Sequence, residues 1–308
     1  MSGTPAGAAR CLSRDFPVLP HAIITGTMGE EMHYPLIPPE RADDIHGIEH
    51  MDSADLVLFL AGNQFMAAPK LLAVFRSLYP DVREIFYETL PPGLELRQIL
   101  AGGAMFRGMK LTGRPDVYTS VTEEAMEKLK AAGRIREYSL YLRNRLVLMV
   151  ARGNPRGIST VGDLARDEIV VSQPGELEDI RHYTRLMYVA SGGEELARRV
   201  MEGKQAEGTT LATVVHHRET PRRITQGAAD AGPVWYTEVL NAQKEGLEVD
   251  ALEVGPQCDQ RDRVGYYCAA LADAPHPGNA RRFVDFLASE TAQDVFEEYG
   301  FLAIRRQR

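Results

Sequence analysis

Three things are scarce in this sequence, and each scarcity excludes something. Cysteine occurs only at Cys11, Cys258 and Cys268 in 308 residues. That is too few for a disulfide framework, and the spacing lacks the paired cysteines of a zinc site. Cys258 and Cys268 either bridge in an oxidising compartment or stay as two small thiols. Long apolar runs are absent, and a membrane-spanning helix needs about 20 such residues, so no membrane insertion is expected. Positive charge is in deficit: 35 Lys and Arg stand against 43 Asp and Glu, a net charge of −8. An acidic chain is a poor general partner for nucleic acid or an anionic membrane, although a local basic cleft remains allowed.

Other signatures are missing as well. There is no Gly-x-Ser-x-Gly, and the glycine pairs Gly102-Gly103 and Gly192-Gly193 lack any phosphate-loop context, so they read as helix stops. The first twenty residues, Met1 to Pro20, have no apolar leader core. Cys11, preceded by Ala8-Ala9-Arg10, has no hydrophobic run of the lipoprotein kind. Two readings follow: an extracytoplasmic protein whose leader has been removed, or a cytosolic protein starting at Met1.

What is present is ordinary globular composition, 44% hydrophobic and 25% charged, in a chain long enough for two lobes with separate cores. Residues 1–53 read as an irregular extension, punctuated by Pro17, Pro20, Pro35, Pro38 and Pro39. Then Asp55 to Ala61 forms a continuous apolar run, the pattern of a strand buried on both faces. Gly62-Asn63-Gln64 ends it, with Asn63 placed to cap a helix carrying Leu71, Leu72, Phe75 and Leu78. Further strands are expected at Arg83–Glu88, Asp116–Thr119, Arg145–Val150, Ile169–Ser172, the segment ending at Tyr236, and Val264–Leu271. Helical stripes lie between them, including two at about 178–190 and 194–202. Amphipathic stripes close the chain at Ala280–Leu287 and Val295–Tyr299. This rhythm predicts an α/β protein built on doubly wound, mostly parallel sheets.

Six segments, in order, carry a resemblance. They are Leu58–Leu72, Leu96-Arg97-Gln98-Ile99 before Gly102, Pro115-Asp116-Val117-Tyr118, Arg143-Asn144-Arg145-Leu146-Val147, Ala228-Ala229-Asp230-Ala231-Gly232 before Tyr236, and the ending from His276-Pro277-Gly278 through Tyr299-Gly300-Phe301. Over about residues 55–302 the chain resembles the type II periplasmic solute-binding proteins, in particular their molybdate- and tungstate-binding branch. The resemblance implies two lobes joined by crossover strands: lobe one from 54–142 plus 264–308, lobe two from 143–263. It also implies a small-molecule or anion ligand held without catalysis or cofactor, and, if the protein is exported, an ABC permease as partner. Oxyanion-binding members place a serine after the first strand, where this chain has Asn63. They place another after the second, where it has Glu88-Thr89-Leu90-Pro91-Pro92-Gly93.

In open parallel sheets ligands sit outside the carboxyl ends of the strands. That rule selects Asn63, Gln64, Thr89, Thr119, Ser120, Gly175, Arg218, Thr220 and Tyr236 as candidate ligand contacts. Each has a structural reading beside it: Asn63, Thr119 and Ser120 suit helix starts, and Trp235 suits the ligand-facing position as well as Tyr236 does. In His216-His217-Arg218-Glu219, Arg218 is suited to neutralise an anion. His217 is suited to a metal or a pH-dependent contact, while Arg222 and Arg223 nearby suggest a solvated helix face. His46-Gly47-Ile48-Glu49-His50 has i, i+4 histidines, but Gly47 weakens the helix and no further ligand is near, so it reads as a linker without metal. The rival to transport is a cytosolic enzyme or ligand sensor on the same fold, using the histidine cluster for acid–base chemistry.

Overall fold

The computed structural model describes residues 33–176, 178–214 and 219–305. Two short strands open it, β1 (Leu36–Ile37) and β2 (Ile45–His46), with a 3-10 turn at Pro39–Asp44 between them. There follow β3 (Leu56–Phe59), α1 (Ala68–Leu78), β4 (Ile85–Glu88), α2 (Pro92–Ala101), β5 (Gly103–Phe106), β6 (Met109–Thr112), β7 (Val117–Ser120), α3 (Glu123–Ala131) and β8 (Ser139–Arg143). The middle of the chain holds β9 (Leu146–Ala151), β10 (Val171–Gln173), α4 (Ile180–Arg198), α5 (Lys204–Ala206), β11 (Thr210–Ala212), α6 (Glu219–Thr225), β12 (Ala231–Trp235), α7 (Tyr236–Lys244) and β13 (Val249–Leu252). It closes with β14 (Tyr266–Ala270), α8 (Pro277–Leu287), α9 (Glu290–Glu298) and β15 (Leu302–Ala303).

Sheet membership divides the molecule. A seven-stranded sheet runs β15-β8-β14-β7-β3-β4-β2, a five-stranded sheet runs β11-β10-β12-β9-β13, and a small sheet joins β1, β5 and β6. In the large sheet β3 pairs in parallel with β4 and β7, while β14, β8, β15 and β2 pair antiparallel at the flanks. In the second, β10 is parallel to β11 and β12, and β9 and β13 are antiparallel. The fold is therefore the two-lobed α/β type, with parallel and antiparallel pairs mixed in each of the two larger sheets. The chain passes from one sheet to the other at Asn144–Arg145, between β8 and β9, and returns between β13 and β14.

The packing follows from the apolar pattern. Every residue of β3 is buried, as expected for a strand covered on both faces. Phe75 of α1 meets Phe283 edge-on at 5.1 Å and Phe286 at 5.3 Å, which ties the C-terminal helices to the seven-stranded lobe. Aromatic pairs of this kind are worth about 0.5–1.5 kcal/mol beyond their area.

Two expectations need correcting and a third is met. The described part of the proline-rich extension is not irregular: β1 pairs with β5, and β2 pairs with β4 at the edge of the large sheet. The glycine pair Gly192-Gly193 breaks the helix as expected: Gly192 at φ −148° and Gly193 at φ 69°, ψ −171° are both non-helical, so α4 is two helical segments meeting at a kink. Asn63 is not a helix cap. It lies in a 3-10 turn, Gly62–Gln64, and α1 begins only at Ala68. Of the two readings of Cys258 and Cys268, the second holds: both are buried free thiols, and no bridge joins them.

Candidate functional site

The parallel strands of both lobes end toward one place. The segments following β3, β4 and β7 supply Gly62, Asn63, Pro91, Pro92 and Val121 to a cavity wall, and those following β10 and ending β12 supply Glu178, Asp179, Ile180 and Trp235. Arg41, from the turn between β1 and β2, completes it. The space enclosed is only about 20 Å³, room for about one water. A groove of about 570 Å³ opens beside it and shares Glu178 and Asp179.

Local chemistry explains how these residues arrive there. Gly62 suits a close approach: a Cβ would lie 3.1 Å from the carbonyl oxygens of Thr89 and Leu90, so a side chain there would push the loops after β3 and β4 a few tenths of an ångström apart. Gly175 is similarly pressed against the Thr213 carbonyl. Its N–H donates to Glu178 Oε1 at 3.0 Å and to Thr213 Oγ1 at 2.9 Å. The Thr213 hydroxyl also donates to Glu178, which fixes that carboxylate before the start of α4. Asp179 and Ile180 then present the N-terminus of a helix whose dipole favours negative charge.

Behind the wall lies a polar hub linking the lobes. Asn63 Nδ2 and Asn144 Nδ2 both donate to the Tyr266 hydroxyl, the latter at 3.2 Å, and Asn144 also donates to Thr237 of α7 at 3.2 Å. A loop and the crossover segment therefore meet on one phenol, and Asn144 ties them to a helix of the second lobe.

Buried acids set the electrostatics. Burial raises Asp179 to about 7, with the charges of Glu178 and then Glu124 adding to it. Burial also raises Glu88 to about 8, against a hydrogen bond from Gln98 that lowers it. Glu95 is pushed well above the usual carboxylate range by burial first and by Glu88 second. Arg41 is only 2% exposed. Burial lowers its pKa, while Asp44, Glu178 and Glu219 oppose the shift.

Of the eight residues selected from sequence that are described, Asn63 is the one in the cavity wall. Gln64 is buried behind it, donating to the Tyr141 hydroxyl at 2.6 Å and accepting from Thr119 Oγ1 at 3.2 Å. Thr119 in addition accepts from the Ala61 N–H at 2.7 Å, so its hydroxyl holds the β3 and β7 loops together. Thr89 and Ser120 are buried. Ser120 accepts from the Thr122 N–H at 3.2 Å, and the Thr89 hydroxyl has no partner among the described residues. Thr220 shares a 2.8 Å hydrogen bond with Ser172. Tyr236 is covered by the Arg145 guanidinium at 3.8 Å, and its neighbour Trp235 takes the cavity position. Arg218, with His216 and His217, lies outside the described residues.

Arg41, Glu178 and Asp179 were not selected. The signal for the last two was their place a few residues past the end of β10. Arg41 had none, since it enters from a segment without periodicity. No group of three metal-ligating side chains occurs among the described residues. Likewise no helix among them is long and apolar enough to cross a membrane.

Two lobes with parallel strands aimed at a shared interlobe cavity define the type II periplasmic binding protein class. The chain belongs to the bacterial extracellular solute-binding protein family, whose profile matches residues 59–302. It is similar to YvgL of Bacillus subtilis, named as an ABC transporter substrate-binding lipoprotein, with 23% identity over 66% of this chain and 73% of that protein. It is also similar to the molybdate-binding protein ModA of Mycobacterium tuberculosis, with 22% identity over 74% of this chain and 81% of the relative. Among solved structures, the periplasmic molybdate-binding protein of Azotobacter vinelandii superposes with a TM-score of 0.63. The identity is 15%, over 81% of this chain and all of that one.

Proposed function

We propose that this chain is the extracytoplasmic ligand-binding component of an ABC-type uptake system and that its ligand is a small anion. The observation that carries the reading is the interlobe cavity. It is small, it lies at the carboxyl ends of five parallel strands, and it holds a buried arginine beside the N-terminus of α4. A fixed guanidinium and a helix N-terminus both favour negative charge, which the acidic surface as a whole would not attract. Binding by relatives named for molybdate supports the same ligand class. The permease that receives the ligand is the expected partner. The rival reading, an enzyme or sensor using the cluster at His216–Glu219, gains no support from family membership.

A thermal-melt panel tests the proposal. Phosphate, sulfate, molybdate, tungstate and small carboxylates are added separately to the full chain. At least one anion should raise the melting temperature in a concentration-dependent way, because a ligand bound only by the native state stabilises it by mass action. A panel in which no anion shifts the melt, while a neutral or cationic solute does, sinks the anion reading.

A further inference from the structure

The small sheet of β1, β5 and β6 has one face in the core and the other bare. Ile37, Ala104, Phe106 and Leu111 are buried together with Leu90 and Leu94. Strand alternation turns their neighbours outward. In register across the three strands, Leu36 stands beside Met105 and Met105 beside Lys110. Leu36 is 75% exposed, Lys110 is exposed and Met105 is half-buried. The Lys110 ammonium donates to the Tyr34 hydroxyl at 2.6 Å and lies 4.3 Å over its ring. Of the five large apolar side chains exposed among the described residues, three lie in or next to this sheet: Leu36, Met109 on β6 and Leu100 at the end of α2. Single exposed apolar residues are ordinary, but their concentration marks a contact surface.

Charge reverses in the same place. The chain carries −8 overall, yet residues 96–115 hold Arg97, Arg107, Lys110 and Arg114 and no acid. Arg114 is taken by Asp273 at 3.5 Å. The other three are exposed and pair with no carboxylate among the described residues. Arg97 donates to the Gly93 carbonyl, Arg107 to the Pro39 carbonyl and Lys110 to Tyr34. Against them stand Glu40 and Asp43, exposed on the turn after β1.

We propose that the outer face of this sheet docks on an anionic lipid surface, with Leu36 and Met105 entering the headgroup layer and Lys110 and Arg107 facing lipid phosphates. Size argues against a protein partner. Strands of two, four and four residues make a face of roughly 200 Å² at the usual strand spacing and rise. A stable protein interface buries about 800 Å² on each side. A bilayer needs no matching shape; it takes apolar side chains among its headgroups and basic ones against its phosphates. The acidic remainder of the chain is repelled by such a surface, which leaves this face as the one turned toward it. For a solute-binding protein, contact there confines the molecule to the plane in which a permease lies. The inference does not depend on the anion reading.

Sedimentation of the full chain with vesicles, without added solute, tests it. One set of vesicles is phosphatidylcholine alone, the other equal parts phosphatidylcholine and phosphatidylglycerol. The chain should bind the mixed vesicles at low salt and leave them at about 1 M salt, where the Debye length falls to about 3 Å. Lys110→Gln and Arg107→Gln should each lower the partition coefficient about fivefold. Leu36→Gln, which keeps the charge, should lower it roughly three- to tenfold. Arg152→Gln makes an equal charge change at an exposed position of the five-stranded lobe and should leave it unaltered. Melting curves identify any variant that fails to fold, in which case Leu36→Gln, at an open position, still decides. Absence of binding to the mixed vesicles, or equal binding to phosphatidylcholine alone, overturns the proposal. So does an equal loss in Arg152→Gln and Lys110→Gln, which would assign the binding to net charge. Self-association in sedimentation velocity that Leu36→Gln removes would give the face to a second copy of the chain and overturn the lipid assignment.

Discussion

Glu88 and Glu95 sit just beneath the loop that carries Pro91 and Pro92 into the cavity, and neither is exposed at all. Glu88 Oε1 accepts from Gln98 at 3.0 Å, and Glu95 Oε1 accepts from the Leu90 N–H at 3.2 Å. Their second oxygens, Gln98 Oε1 and the Thr89 hydroxyl have no partner among the described residues. Protonating the two acids supplies the hydrogens this group lacks, consistent with the direction in which burial moves both. A carboxyl whose native pKa lies above its unfolded value binds more protons when folded, so stability falls as pH rises between the two. For Glu88 that window runs from 4.5 to about 8. Glu88→Gln, neutral at every pH, should therefore flatten the decline. Chemical denaturation at pH 5 should find the variant near the unaltered protein. At pH 8.5 the variant should be more stable by a few kcal/mol, since each pH unit crossed inside the window is worth about 1.4 kcal/mol. An unchanged pH slope would show that Glu88 is ionised in the fold. At this scale the sequence was partly legible. The loops after the strands could be found, but which residue faced the cavity depended on one-residue parity, and so Trp235 rather than Tyr236 lines it.

At the scale of elements, continuous apolar runs and helical stripes were readable because they report burial directly. The run at Asp55 to Ala61 contains β3, and the stripe at Ala280–Leu287 lies within α8. The elements that escaped are short or one-sided. β8, at Ser139–Arg143, is mixed in polarity, and its exposure runs from open to buried along its length. β1 and β2 are two residues each, held by pairing to partners far along the chain rather than by any local pattern. That is why Arg41 was missed, since its position depends on non-local pairing. The helix packing gives a clean test of the readable part. Phe283 of α8 is fully buried against Phe75, and α8 contributes nothing to the cavity wall. Phe283→Ala should cost about 3–5 kcal/mol, measured as a lowered urea midpoint. The anion-induced rise in melting temperature should survive. Loss of binding along with stability would mean that the C-terminal helices act on the site.

For the whole molecule, the question is what holds the lobes against one another around so small a cavity. A hydrogen bond crosses the cleft directly: the hydroxyl of Tyr183, on α4 in the five-stranded lobe, donates to the carbonyl of Val121, just past β7 in the seven-stranded lobe, at 2.9 Å. Both residues are buried, at 6% and 3% exposure, and the Tyr183 ring lies 5.9 Å from that of Trp235. Other links run through the hub on Tyr266, beside the crossovers, and through the Lys244 ammonium lying 5.1 Å over the Tyr299 ring. Opening the cleft separates the two ends of the Tyr183 bond. Tyr183→Phe keeps the ring and its packing but removes the donor and leaves the Val121 carbonyl unpaired in the closed arrangement. A single hydrogen bond of this kind contributes about 0.5–1.5 kcal/mol, which shifts an open–closed equilibrium roughly two- to tenfold toward open. If ligand binds the closed state, apparent affinity falls to the extent that the closed population falls. The expected outcome is an increase in the radius of gyration of the ligand-free protein by solution scattering, with anion affinity weakened by no more than about tenfold. Saturating ligand should restore the compact radius, because binding energy then replaces the missing bond. A variant with unchanged radius and affinity would show that the Tyr183–Val121 contact follows closure without contributing to it.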